Sequence, residues 1–69
     1  MLRLKYERLK RGISQTKLAA ITGIHPATLS KIENGRIYPY GGWRMKLAAA
    51  LGWPIEKAEE LFEEVERDE

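Results

Sequence analysis

Glycines at positions 12, 23, 35 and 52 each follow a stretch of helical periodicity, where a residue free to take positive φ can end a helix. With four such stops, the chain can hold only short helices. The pattern between them predicts helices over Leu2–Arg11, Gln15–Thr22, Pro26–Glu33, Gly42–Leu51 and Pro54–Glu66. Nothing alternates with period two over a useful length, and there is neither an internal repeat nor a low-complexity linker. The fold class is therefore all-α. Its 69 residues form a single domain (1–69), a size at which folding buries only about 60% of the unfolded surface and large cofactor-binding folds are out of reach.

Helices two and three open alike. Ser14 is a good N-cap, with Leu18 placed to staple back onto Ile13 just outside it. His25 holds the equivalent cap position, Pro26 the first helical residue, and Leu29 can staple onto Ile24. Ala19 is small where the two helices would cross, and Gly23 makes the turn between them. Two short helices joined by one tight turn are expected.

Charge divides the chain. Residues 1–46 hold ten Lys and Arg against two Glu, a net of +8, while residues 47–69 hold two cations against eight acids, a net of −6. The first two-thirds is thus expected to face a polyanion, and the acidic remainder water or a second partner. No apolar stretch approaches the roughly 20 residues of a membrane span, and the first eight residues carry charges where a signal peptide would be apolar. With no cysteine, a cytoplasmic protein held by packing alone is expected. His25 is the sole histidine, so a metal site would need carboxylates gathered from elsewhere; neither metal nor cofactor is implied. No nucleophile has a plausible base partner, so no catalytic residue is assigned.

The stretch Gln15-Thr-Lys-Leu-Ala-Ala-Ile-Thr-Gly-Ile-His-Pro-Ala-Thr-Leu-Ser-Lys-Ile-Glu-Asn-Gly35 resembles the helix-turn-helix of the Cro/CI-type (XRE-like) DNA-binding family. Its pattern runs GLSQ-x-x-LA, TGIS, then TIS-(R/K)-IENG. Lys46–Gly52 is similar to that family's KLAKALG fourth helix, so the resemblance spans roughly Leu4 to Phe62. It implies a five-helix lambda-repressor-like domain whose third helix enters the major groove of double-stranded DNA.

On that third helix, Thr28 and Lys31 are three apart and share a face with Ala27 and Ser30, while Leu29 and Ile32 face the other way. Lys31 can donate to guanine O6 or N7, Ala27 can touch a thymine methyl, and Pro26 offers apolar contact. Pro26 and Ala27 stand where the family often has polar base-reading side chains. The resemblance assigns phosphate contact to Gln15, and Asn34 and Arg36 are expected to act likewise beside it; Tyr38 joins them through its hydroxyl. It also pairs Arg8 with Glu33, tying helix one to the recognition helix. Glu7 and Arg44 replace residues that are often apolar in the family. Arg44 is expected to point outward with Trp43 compensating, and Tyr40 and Trp43 to cap the core. In the amphipathic last helix, Phe62 and Val65 are candidates to extend beyond the globule and join a second copy. The function this implies is sequence-specific DNA binding by a homodimeric transcriptional repressor acting through operator occupancy. Alternatives are an antitoxin with a toxin partner, a restriction–modification controller, or a protein-interaction module that uses the acidic fifth helix.

Overall fold

The computed structural model describes residues 1–66 and contains four α-helices followed by a 3₁₀ segment: α1 (Arg3–Lys10), α2 (Gln15–Thr22), α3 (Pro26–Glu33), α4 (Gly41–Ala50) and Ile55–Phe62. Arg67, Asp68 and Glu69 lie outside the described residues. The first four elements match the expected spans to within one residue at each end, and their caps are the expected ones. The Ser14 hydroxyl accepts from the Lys17 N–H at 3.0 Å, and His25 Nδ1 accepts from the Ala27 N–H at 3.1 Å. Each satisfies one of the N–H groups that a helix start leaves unpaired.

The turn between α2 and α3 is closed from within. Gly23 takes φ 76°, a conformation costly for a residue with a Cβ, and its N–H returns to the Ala19 carbonyl at 2.8 Å. The Thr22 hydroxyl donates to the Leu18 carbonyl at 2.8 Å and accepts from the Ile24 N–H at 3.3 Å. Ile24 is thereby delivered into the core with Leu4, Leu18, Leu29, Ile32, Leu47 and Leu61, all almost wholly buried. Ala19 and Ala48 fill the close approaches, and Ile13, Trp43, Trp53 and Phe62 pack around the edge. Fully burying one such large side chain contributes about 1.5–3 kcal/mol, so these seven outweigh any single polar contact in the domain.

The last element departs from expectation. Helical bonding ends at Phe62 instead of Glu66, the turns are 3₁₀, and Lys57 is kinked out of helical geometry (φ −116°, ψ 18°). Two causes are visible. Glu56 and Glu60, Glu59 and Glu63, and Glu60 and Glu64 stand four apart, where like charges destabilise an α-helix. The other cause is non-local: Glu63 is extended, and the chain pairs antiparallel with the first residues. Arg3 N–H donates to the Glu63 carbonyl at 2.8 Å and Val65 N–H to the Met1 carbonyl at 2.9 Å. The far end therefore folds back onto the body. Phe62 does not extend beyond the globule: it is half-buried against the core, its ring edge-on to Tyr38 at 5.5 Å. Val65 is half-buried as well.

Two further expectations are corrected between Ile37 and Arg44. Arg44 does not point into water; its Nη1 donates to the Pro39 carbonyl at 2.7 Å and its guanidinium lies 5.0 Å from the centre of the Tyr38 ring. Tyr40 does not cap the core, being 62% exposed and stacked obliquely on Trp43, with its ring so close to Gly42 that a Cβ there would meet it at 2.6 Å. Trp43 alone packs against the core as expected.

Candidate nucleic-acid interface

The interface rests on a buried carboxylate. Glu33, at the C-terminal end of α3, is an unfavourable residue beside the negative end of the helix dipole unless a cation meets it. Arg8 of α1 does: its Nε donates to Oε2 at 2.7 Å and its Nη2 to Oε1 at 3.1 Å, with both residues buried. The third guanidinium nitrogen, Nη1, donates to the Ile13 carbonyl at 2.9 Å, fixing the entry to α2. Gln15 completes the group by donating Nε2 to Glu33 Oε1 at 3.0 Å. One carboxylate thus orients α1, α2 and α3 together, and among the described residues no buried side-chain polar atom is left without a partner.

From this frame α3 presents one side outward. Pro26, Ala27, Lys31 and Asn34 are exposed, Thr28 and Ser30 are half-buried, and Leu29, Ile32 and Glu33 are inside. Thr28 therefore lies at the margin of the face and Lys31 nearer its middle. Beyond the helix, Arg36 and Tyr38 are exposed, and Arg36 is anchored through its backbone N–H to the Lys31 carbonyl at 2.9 Å. The cations divide into two groups. Arg3 and Arg11 both pair with the buried Glu7, and Arg8 with Glu33, whereas Lys31 and Arg36 pair with no carboxylate among the described residues. Two unpaired charges thus stand on and beside the outward side of α3, while others, among them Lys17 and Lys46, are spread over the rest of the surface.

Three features of the site escape a reading of the residues in order. Gln15 is engaged by Glu33 through one amide hydrogen, and its second can donate elsewhere. Arg44 clasps the loop that carries Arg36 and Tyr38. His25 accepts through Nδ1, so its neutral ring carries the proton on Nε2, an exposed donor at the very start of α3. The repeated cap position was the signal for the last of these; the first joins residues 18 apart, and the second depends on the fold of the loop before α4.

Residues 4–39, just over half the chain, match the family model described as helix-turn-helix. The chain belongs to the XRE-type helix-turn-helix family. Members of this family are DNA-binding transcription regulators, and the matched unit is a regulator domain and not an enzyme. The match covers α1, the helix-turn-helix and the loop to Pro39; α4 and the 3₁₀ segment lie beyond it. No curated protein and no solved structure matches the chain. No helix among the described residues is long and apolar enough to cross a membrane.

Proposed function

We propose that this domain binds a specific operator in duplex DNA through α3 and represses transcription by occupying it, in the cytoplasm and as a homodimer. Pro26, Ala27, Thr28 and Lys31 meet base edges, with Lys31 donating to a guanine, while Gln15, Asn34, Arg36 and Tyr38 hold the sugar-phosphate backbone. The observation that carries the reading is the outward side of α3: it and the turn after it bear Lys31 and Arg36, neither paired with a carboxylate among the described residues, on a helix held by the buried Arg8–Glu33 pair. A two-fold dimer suits an operator with two half-sites, whose recognition helices stand roughly 34 Å apart.

The test is selection of bound duplexes from a random pool, followed by titration of the winner across salt. Each neutralised phosphate steepens the log–log slope by about 0.9, so a steep fall in affinity is expected. A flat titration, or a pool that yields no preferred sequence, sinks the proposal.

A further inference from the structure

Three exposed residues open α3: His25 at the cap, then Pro26 and Ala27. Neither Pro26 nor Ala27 has a hydrogen-bonding side chain, so of the three only His25 can make a polar contact through its side chain. A neutral imidazole in water is ambiguous: either nitrogen can carry the proton, so an outward nitrogen donates in one tautomer and accepts in the other. The cap removes that ambiguity. Nδ1 accepts from the Ala27 N–H at 3.1 Å, which requires a bare nitrogen there, so the proton of the neutral ring is on Nε2. That bond is the ring's one hydrogen bond among the described residues, and none of their ion pairs involves His25. The backbone beneath the ring is held on both sides, by the fixed φ of Pro26 and by Ile24 buried in the core. The start of α3 thus displays a single donor that cannot become an acceptor without breaking the cap.

We propose that His25 is a base-reading residue whose Nε2–H donates to N7 of a guanine in the major groove. Guanine is the base that suits a fixed donor: its major-groove edge carries the acceptors N7 and O6 and no donor, whereas adenine sets its N6 hydrogens beside N7 and thymine sets a methyl beside O4. N7 takes no part in base pairing, so its lone pair is wholly available to a single donor. The same fixed proton rejects cytosine, whose N4 hydrogens would face it donor to donor. Lys31 lies six residues further on, about 9 Å along the helix axis, so the two donors address different base pairs. This inference rests on the DNA binding proposed above and deepens it, supplying base selection at the end of α3 where Pro26 and Ala27 bring apolar contact alone.

The full wild-type chain is used to select a preferred duplex, and each guanine of that duplex is replaced in turn by 7-deazaguanine, which pairs normally and lacks the N7 acceptor. Wild type, His25→Asn, His25→Ser and Lys31→Ala are then titrated with every duplex. Asn and Ser both retain a cap acceptor, and thermal melting checks that each variant folds. At one guanine position the replacement is expected to weaken wild-type binding about three- to tenfold, the loss of one neutral hydrogen bond. The same replacement is expected to leave His25→Asn and His25→Ser unaffected, while Lys31→Ala remains sensitive to it. A preferred duplex without guanine overturns the proposal, and so does one in which every replacement costs the wild type and the two His25 variants equally. His25 variants that bind more weakly with the ranking of bases unchanged also overturn it, placing His25 at a phosphate. A wild type that prefers no duplex overturns the operator reading itself and the role of His25 with it; each of the other failures leaves that reading standing.

Discussion

Two segments of eight residues, α3 and Ile55–Phe62, have similar amphipathic patterns and fold differently. Both carry apolar residues at three- and four-residue spacing, and both follow or contain a proline at the start. In α3 the first turn is capped by His25, and the carboxylate near its C-terminus, Glu33, is met by Arg8. The later segment has no side-chain cap, and Glu56, Glu59 and Glu60 meet no cation among the described residues; only Glu64, beyond its end, is met by the Met1 ammonium at 3.4 Å. An adverse charge is therefore tolerated where tertiary structure answers it and reshapes the backbone where it does not.

The comparison breaks most sharply at Glu33. Glu33→Ala leaves Arg8 buried without its partner, and losing one member of such a pair costs about 3–5 kcal/mol. For a domain of this size that lowers the melting temperature on the order of 20 °C. DNA binding is lost with the fold, as circular dichroism melting followed by a duplex titration will report. Replacing both partners by apolar residues, Arg8→Met with Glu33→Leu, is expected to recover most of the stability. If the single variant melts like wild type, the pair is not what holds α3.

Next comes the outward side of α3. Lys31→Ala is expected to remove about 1–3 kcal/mol of discrimination at one base position, whereas Arg36→Ala weakens binding almost equally across sequences. Competition between operator variants separates the two; an unchanged ranking for Lys31→Ala would transfer that residue to the backbone contacts. The corresponding change in the 3₁₀ segment, Glu60→Gln, should leave the ranking intact.

A smaller effect concerns the caps. His25→Ala should cost about 1 kcal/mol of stability while His25→Asn, which retains an acceptor, costs only a fraction of that; urea denaturation resolves the difference. Smallest of all, Glu60→Lys places a cation four residues after Glu56 and four before Glu64, a gain of about 0.3–0.5 kcal/mol per pair. Far-ultraviolet circular dichroism should then show slightly more α-helix. Unchanged ellipticity would assign the segment's form to its pairing with Met1–Arg3 and not to charge repulsion.

The same contrast explains what the residues reveal in order. The first four helices are legible because their starts and stops are local: Ser14 and His25 cap, Pro26 begins, Gly23 ends. The end of the last element is not legible, since it depends on Arg3 and Met1, sixty or more residues away. At the interface, the exposed side of α3 follows from spacing, and the Arg8–Glu33 pair from resemblance to a family. The Gln15 bond to Glu33 and the Arg44 clasp on Pro39 follow from neither: the first joins side chains that only the assembled fold brings together, and the second depends on how the loop before α4 turns its Pro39 carbonyl.

Glu33 Oε1 accepts hydrogen bonds from both Arg8 and Gln15, so the residue assigned to a phosphate and the residue that secures α1 compete for, and share, one oxygen. If the proposed phosphate contact forms, a pull on Gln15 reaches a carboxylate that is itself only 3% exposed. Occupancy of the operator should therefore be recorded deep inside the protein, as slower hydrogen exchange at amides of α1 that never approach DNA.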